Sequence, residues 1–231
     1  MLATPSIAQQ PQPLRNALHP PRSQGFSLTE VMVVLAVIGV LAGITLPSLG
    51  GFSGAGADVR RASMTLSSAF EMARQYAIAQ NTRVYLALTN APVGEAQSIV
   101  IFTARDGNQL FSAAQTALDF AHPGQAENVS ILRRWSGLRN VAFDHDRSRV
   151  PDPSFAPQLP AEPLDSTYQV RDHQGVTLPH ILQFGPTGEV SHVGGDPAAA
   201  FEVVVVHPTQ PNHARIVRLS GLTGLPHVFV P

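Results

Sequence analysis

The longest continuous pattern in the chain is apolar. Residues 26–46, FSLTEVMVVLAVIGVLAGITL, are 21 positions in which Glu30 is the single charged side chain. At about 1.5 Å per residue a helix of that length spans roughly 30 Å, the thickness of a bilayer's hydrocarbon layer, so the run predicts a transmembrane helix. A carboxylate inside it costs about 2.5–3.5 kcal/mol on insertion scales and usually marks function. The pattern changes after Leu46. Pro47 and the glycines Gly50, Gly51, Gly54 and Gly56 fall within residues 47–57. Each glycine weakens a helix by about 1 kcal/mol relative to alanine, and the stretch reads as a hinge. From Asp58, a candidate N-cap, Leu66, Phe70, Ala73 and Ala77 recur at i, i+4, i+7 and i+11. Arg60, Arg61, Glu71, Arg74 and Gln75 lie mostly on the more polar side. The spacing predicts an amphipathic helix over 58–80, whose apolar face must be covered.

The remainder reads as strands. TRVYLAL (82–88) alternates and is β-branched at Thr82 and Val84, and SIVIFTA (98–104) runs into RDGN (105–108), whose Asp106-Gly107 pair is a hairpin signal. NVSILRRW (128–135) and NVAFD (140–144) are two further strands. VPDPSFAPQLPAEP (150–163) holds five prolines, which predicts an extended surface loop and excludes a central strand. HILQFGPTGEV (180–190) reads as strand, turn, strand; AFEVVVVH (200–207) and ARIVRLS (214–220) follow, then the turn GLTGLP (221–226) and a short last strand HVFV. A long helix followed by strands alone predicts an α+β fold. Its N-terminal helix is transmembrane in its first half and amphipathic in its second, packed on a mostly antiparallel sheet or sandwich. The organisation expected is a leader at 1–25, a membrane helix at 26–46, a hinge at 47–57 and an exported globular domain at 58–231.

Composition narrows the chemistry. The chain has 231 residues and a formal net charge of −1; all 15 basic residues are arginine, and lysine and cysteine are absent. A Walker A loop, a Ser–Lys pair and a Schiff-base lysine are thereby excluded, as are disulfides, thiol nucleophiles and cysteine metal sites. No cationic excess points to a nucleic-acid partner. Residues 1–25 are polar, contain Arg15 and Arg22, and carry no acidic side chain. Positive charge on that side of the apolar run predicts a cytoplasmic N-terminus and a C-terminal domain across the membrane. The run is longer than the about 7–15 residues of a secretory signal core, and the small residue Gly25 precedes it, the wrong order for signal peptidase. The histidine-bearing stretches DHD (144–146) and HPTQPNH (207–213) lack the spacing of HExxH or of an EF-hand loop, so no metal or cofactor is expected. GFSGAG (51–56) is one residue short of GxSxG and follows a membrane helix rather than a strand, which argues against a nucleophile elbow. Ser27-Leu28-Thr29-Glu30 has the form of a capping box, in which Glu30 satisfies a free N–H near the helix start and meets the positive end of its dipole.

The stretch GFSLTEVMVVLAVIGVLAGITLP resembles the N-terminal signature of type IV prepilins and pseudopilins. In that signature a glycine (Gly25) precedes the cut, an aromatic residue (Phe26) begins the mature chain, and a glutamate (Glu30) is fifth. Pro47, twenty-second from Phe26, stands where many members also carry proline. FEMARQYAIAQNTRVYL (70–86) and the ending FGPTGEV, FEVVVVH, ARIVRLSGLTG resemble the minor pilin and minor pseudopilin group of the GspH/FimT type, in which a helix leads into a β-sandwich-like domain. The resemblance implies that a prepilin peptidase cuts between Gly25 and Phe26 and methylates the new amine. Glu30 would then pair with such an amine on itself or a neighbour, fixing axial register. It also implies a hinge role for Pro47, Gly50 and Gly51, contacts with other pilins through the N-terminal helix, and a single pass through the inner membrane before filament entry. On this reading the protein is a filament subunit of a type IV pilus or a type II secretion pseudopilus and not an enzyme. The rivals are a signal-anchored periplasmic binding protein and a membrane-anchored hydrolase, the latter disfavoured by the missing nucleophile motifs.

Overall fold

The 3.6-residue period is realised as helix α1, Ala55–Gln80, in a computed structural model that describes residues 28–29, 31–38, 54–89, 95–144, 154, 156, 161–197 and 199–230. The expected face is the buried one: Leu66, Phe70, Ala73 and Ala77 are fully covered, together with Val59, Ala62 and Ala69. The start differs from the expected one. Gly54, in extended conformation, precedes the first turn, so Asp58 is not the N-cap but lies inside that turn. There a carboxylate still meets the positive end of the helix dipole, and its Oδ2 accepts a hydrogen bond from Asn140 Nδ2 at 3.1 Å. The helix stops at Asn81, which takes the left-handed conformation that asparagine tolerates (φ 48°, ψ 44°).

Two antiparallel sheets share a core with α1. One has five strands, in the order β4 (Val129–Leu138), β2 (Gln97–Ala104), β1 (Val84–Leu88), β8 (His180–Phe184) and β9 (Val190–His192). The other has four, in the order β12 (Pro226–Phe229), β11 (Gln210–Ser220), β10 (Ala200–His207) and β5 (Ala142–Asp144). The helix face meets Val84, Leu86, Leu88, Ile99, Ile101 and Phe184 from the first sheet and Phe143, Phe201, Val203, Val205, Val217 and Leu219 from the second. Glu202 and Arg218 stand opposite each other on β10 and β11 and pair at 2.8 Å, which compensates two nearly buried charges. The α+β class expected from the order of elements is the class observed.

The sequence pattern missed a second core. The first strand begins at Val84 rather than Thr82 and is buried on both faces. Tyr85, Ala87, Val100 and Phe102 point away from α1 into a cluster with Phe111, Leu118, Phe120, Val170 and Leu178. This layer is built on a small third sheet of β3 (Ala117–Asp119), β6 (Gln169–Arg171) and β7 (Thr177–Leu178), with a one-turn helix α2 (Pro123–Ala126) beside it. Burial raises the pKa of Tyr85, so the neutral phenol stays in place and its oxygen accepts the Leu110 N–H at 3.3 Å.

Two further expectations are corrected. Asp106-Gly107 does not close a two-residue hairpin. The Asp106 side chain accepts the Asn108 N–H at 2.9 Å, but the chain leaves for β3 and returns only at β4 to pair with β2. The return is held by the Arg105 N–H on the Asn128 carbonyl (2.8 Å), a long-range bond that outweighs the local turn preference. The proline-rich segment 150–163 is not wholly a surface loop. Ala156 is buried against the outer face of the four-stranded sheet, and the Glu162 N–H donates to the Ala200 carbonyl at 2.8 Å.

The turns at 185–188 and 221–225 converge on α1. Arg74 Nε donates to the Thr223 carbonyl at 2.6 Å, and the Val190 N–H donates to Gly221 O at 2.6 Å, joining the two sheets. Gly188 (φ +91°) lies where a Cβ would stand 3.0 Å from Ile78 Cδ1, and at Gly224 (φ +65°) a Cβ would run into the Gly188 carbonyl oxygen. Arg74, which the sequence places on the more polar face, is therefore a latch. Arg74→Ala is expected to cost about 1 kcal/mol, a fall of about 2–4 °C in melting temperature for a domain of this size. Gly224→Ala should cost more, because backbone strain adds to a backbone overlap. Circular dichroism melts of both variants check the order; melting of Gly224→Ala at the parent temperature would show that the turns do not interlock.

Candidate functional site

The N-terminal motif is the candidate site. Gly25, Phe26, Glu30, Pro47, Gly50 and Gly51 lie outside the described residues. What is described of the apolar run, residues 28–29 and 31–38, is helical. Its side chains face outward on every side: Leu28, Met32 and Leu35 are 79, 63 and 62 % exposed, and Val31, Val34, Val37 and Ile38 about half. A helix apolar all round is not a surface element of a water-soluble fold; it demands lipid or other helices as its surroundings. Among the described residues no helix is long and apolar enough to cross a membrane, since only part of the 26–46 run is described.

The histidine-bearing stretches have local roles. His207 Nδ1 accepts the Thr209 N–H at 3.3 Å in the turn between β10 and β11, and His213 packs its ring over Gly56 of α1. Of residues 144–146 only Asp144 is described. Among the described residues no group of three or more ligand-type side chains is placed to hold a metal. A 380 Å³ cleft is lined by Arg105, Phe120, Glu127 and His173 among others. There Arg105 Nε already donates to the Val129 carbonyl at 3.2 Å.

One convergence was not legible in the sequence. The first turns of α1 carry Arg60 and Arg61, both exposed, on a 570 Å³ groove shared with Met64 and the half-buried Trp135. Arg139 and Arg61 line an adjoining groove with Asp58. Arg215 comes close enough to Arg60 that burial, and then the Arg60 charge, lower its pKa. Only the Arg60-Arg61 pair is visible as a sequence signal; Arg139, just past the end of β4, and Arg215, on β11, arrive from far along the chain.

Comparison with known proteins adds the following. Residues 20–46 match the prokaryotic N-terminal methylation motif, which implies processing by a prepilin peptidase. No curated protein matches the sequence. Among solved structures the chain is similar to the type IV minor pilin FimU of Pseudomonas aeruginosa strain PAO1 in two crystal forms. In space group P21 the identity is 14 %, covering 75 % of this chain and 88 % of the other, with a TM-score of 0.39. In space group P65 the identity is 12 %, covering 74 % and 92 %, with a TM-score of 0.36.

Proposed function

We propose that this type IV pilin-like chain, with its prepilin N-methylation motif, is a minor pilin or minor pseudopilin: a structural filament subunit with no catalytic step of its own. The observation that carries the reading is the motif at 20–46, with Gly25, Phe26 and Glu30 in the order that cleavage and assembly require. It is joined to a domain that α1 leads. The subunit waits in the inner membrane as a single-pass protein, N-terminus cytoplasmic and globular domain periplasmic, and then enters a type IV pilus or a type II secretion pseudopilus.

Each motif residue has a physical role on this reading. Gly25 lacks a side chain, so the peptidase can approach the backbone closely. Cleavage leaves a cationic amine on Phe26. Glu30, costly alone in an apolar setting, is compensated by such an amine, so only the correct axial register pairs both charges. Pro47, which cannot continue the helical hydrogen-bond ladder, and the weak helix formers Gly50 and Gly51 let the segment bend where the subunit packs.

Processing is tested by immunoblots of strains with and without prepilin peptidase. A shortening by the 25-residue leader that depends on the peptidase is expected. A chain of unchanged length in both strains would favour the signal-anchored binding protein. Assembly is tested by Glu30→Leu. The variant should insert and be cleaved, because it removes a charge from the apolar run, but its recovery in sheared filament fractions should fall at least tenfold, the equivalent of about 1.4 kcal/mol in register selection. Normal recovery would leave Glu30 as a capping-box residue only.

A further inference from the structure

We propose that the end of the globular domain where α1 begins is a contact surface for anionic lipid headgroups. The proposal rests on the membrane-anchored reading of residues 26–46. Arg60, Arg61, Arg139 and Arg215 gather there, and none of the four has an ion-pair partner among the described residues. By contrast Arg134, Arg218 and Arg74 are each matched to a carboxylate. Asp58 is the one acidic side chain among the residues lining the three grooves at this end, and it is engaged by Asn140. Arg60 and Arg215 lie close enough for their charges to interact, and arginines gathered with no ion-pair partner among the described residues offer a site for an external anion.

The covalent chain supplies that anion's source. From Leu46 to Gly54 there are eight residue steps, at most about 28 Å when fully extended. A link of that length leaves the arginine-bearing end free to reach the headgroup layer. Beside Arg60 and Arg61, Met64 is 49 % exposed and Trp135 half-buried in the same groove. A tryptophan with an apolar body and a polar N–H, next to arginines, is the composition favoured at a membrane interface. Clustered basic side chains hold anionic lipid through charge, each strengthening the contact by about fivefold and acting within a Debye length. Such a contact would hold the domain down on the bilayer before assembly and be broken when the subunit is drawn into a filament.

Trp135 is the only tryptophan in the chain and lies on the groove, so its fluorescence reports the contact. The full chain is reconstituted into vesicles of phosphatidylcholine alone or with phosphatidylglycerol, each containing a headgroup spin-labelled quencher. Quenching is expected to rise with phosphatidylglycerol. The increment should disappear at high salt and in the triple variant Arg60→Gln/Arg61→Gln/Arg215→Gln, with far-UV dichroism unchanged. It should survive Arg83→Gln/Arg171→Gln, two exposed arginines outside these grooves. Equal quenching in the two compositions, or an increment that the triple variant keeps, overturns the proposal. So does displacement by millimolar inorganic phosphate, which would mark a small-anion site, or lipid-independent cross-linking of these positions to an acidic neighbouring subunit. Vesicle flotation after carbonate washing reads the membrane anchor separately: a chain that floats yet shows no increment refutes the headgroup contact alone.

Discussion

Phe70→Asp is expected to abolish the cooperative unfolding transition of the globular domain. Phe70 is fully buried on α1, its ring centroid 6.3 Å from that of Phe184 on the five-stranded sheet. It belongs to the cluster to which the helix and both large sheets contribute. Truncating a buried phenylalanine costs about 3–5 kcal/mol, and an unpartnered carboxylate in the same place adds several more. Against a total stability of about 5–15 kcal/mol this removes most or all of the margin. Circular dichroism melting of the full chain in detergent is the measurement. Met72→Asp, two residues along on the exposed side of the same helix, should melt close to the parent. A parent-like melt for Phe70→Asp would mean that α1 does not pack through this face.

The second large effect concerns processing. On the proposed function Gly25→Leu should leave essentially all of the protein as an unshortened precursor. A peptidase acting at a membrane surface must bring its catalytic groups to the Gly25 carbonyl, and a branched side chain on the preceding Cα occupies the space that this approach needs. The apolar run is untouched, so insertion should proceed and the precursor should remain in the membrane fraction. Intact-mass spectrometry of that fraction distinguishes the full 24.6 kDa chain from one that has lost residues 1–25. Shortening of Gly25→Leu to the parental mass would remove the peptidase reading. The two predictions are independent, because Phe70→Asp acts on the folded domain and Gly25→Leu on a step before the domain matters.

Much of the protein follows from local pattern. The 21-residue apolar run and the sequence G-F-x-x-x-E read as they stand, because insertion energy depends on consecutive residues and peptidase recognition on a short segment. The α1 face is equally local: burial of Leu66, Phe70, Ala73 and Ala77 follows from one periodicity. So are β10, found at Ala200–His207 as expected, and the strand–turn–strand of β8 and β9. What escaped depends on distant partners. A strand buried on both faces shows no alternation to mark its second partner, so the layer of Leu118, Val170 and Leu178 behind β1 was hidden in strands of two or three residues. The Asp106-Gly107 turn was overridden by pairing with β4. Arg74 looks like an ordinary polar-face residue until the turn at Thr223 is brought to it across 149 positions. The arginines around the start of α1, without ion-pair partners among the described residues, gather from three places in the chain, and only the packing of helix against sheet puts their charges together. Periodicity thus determined the class of fold, and the motif by itself carries the proposed processing site. Tertiary packing alone decided which polar residues are structural, and where charge accumulates, because both depend on contacts that no local window contains.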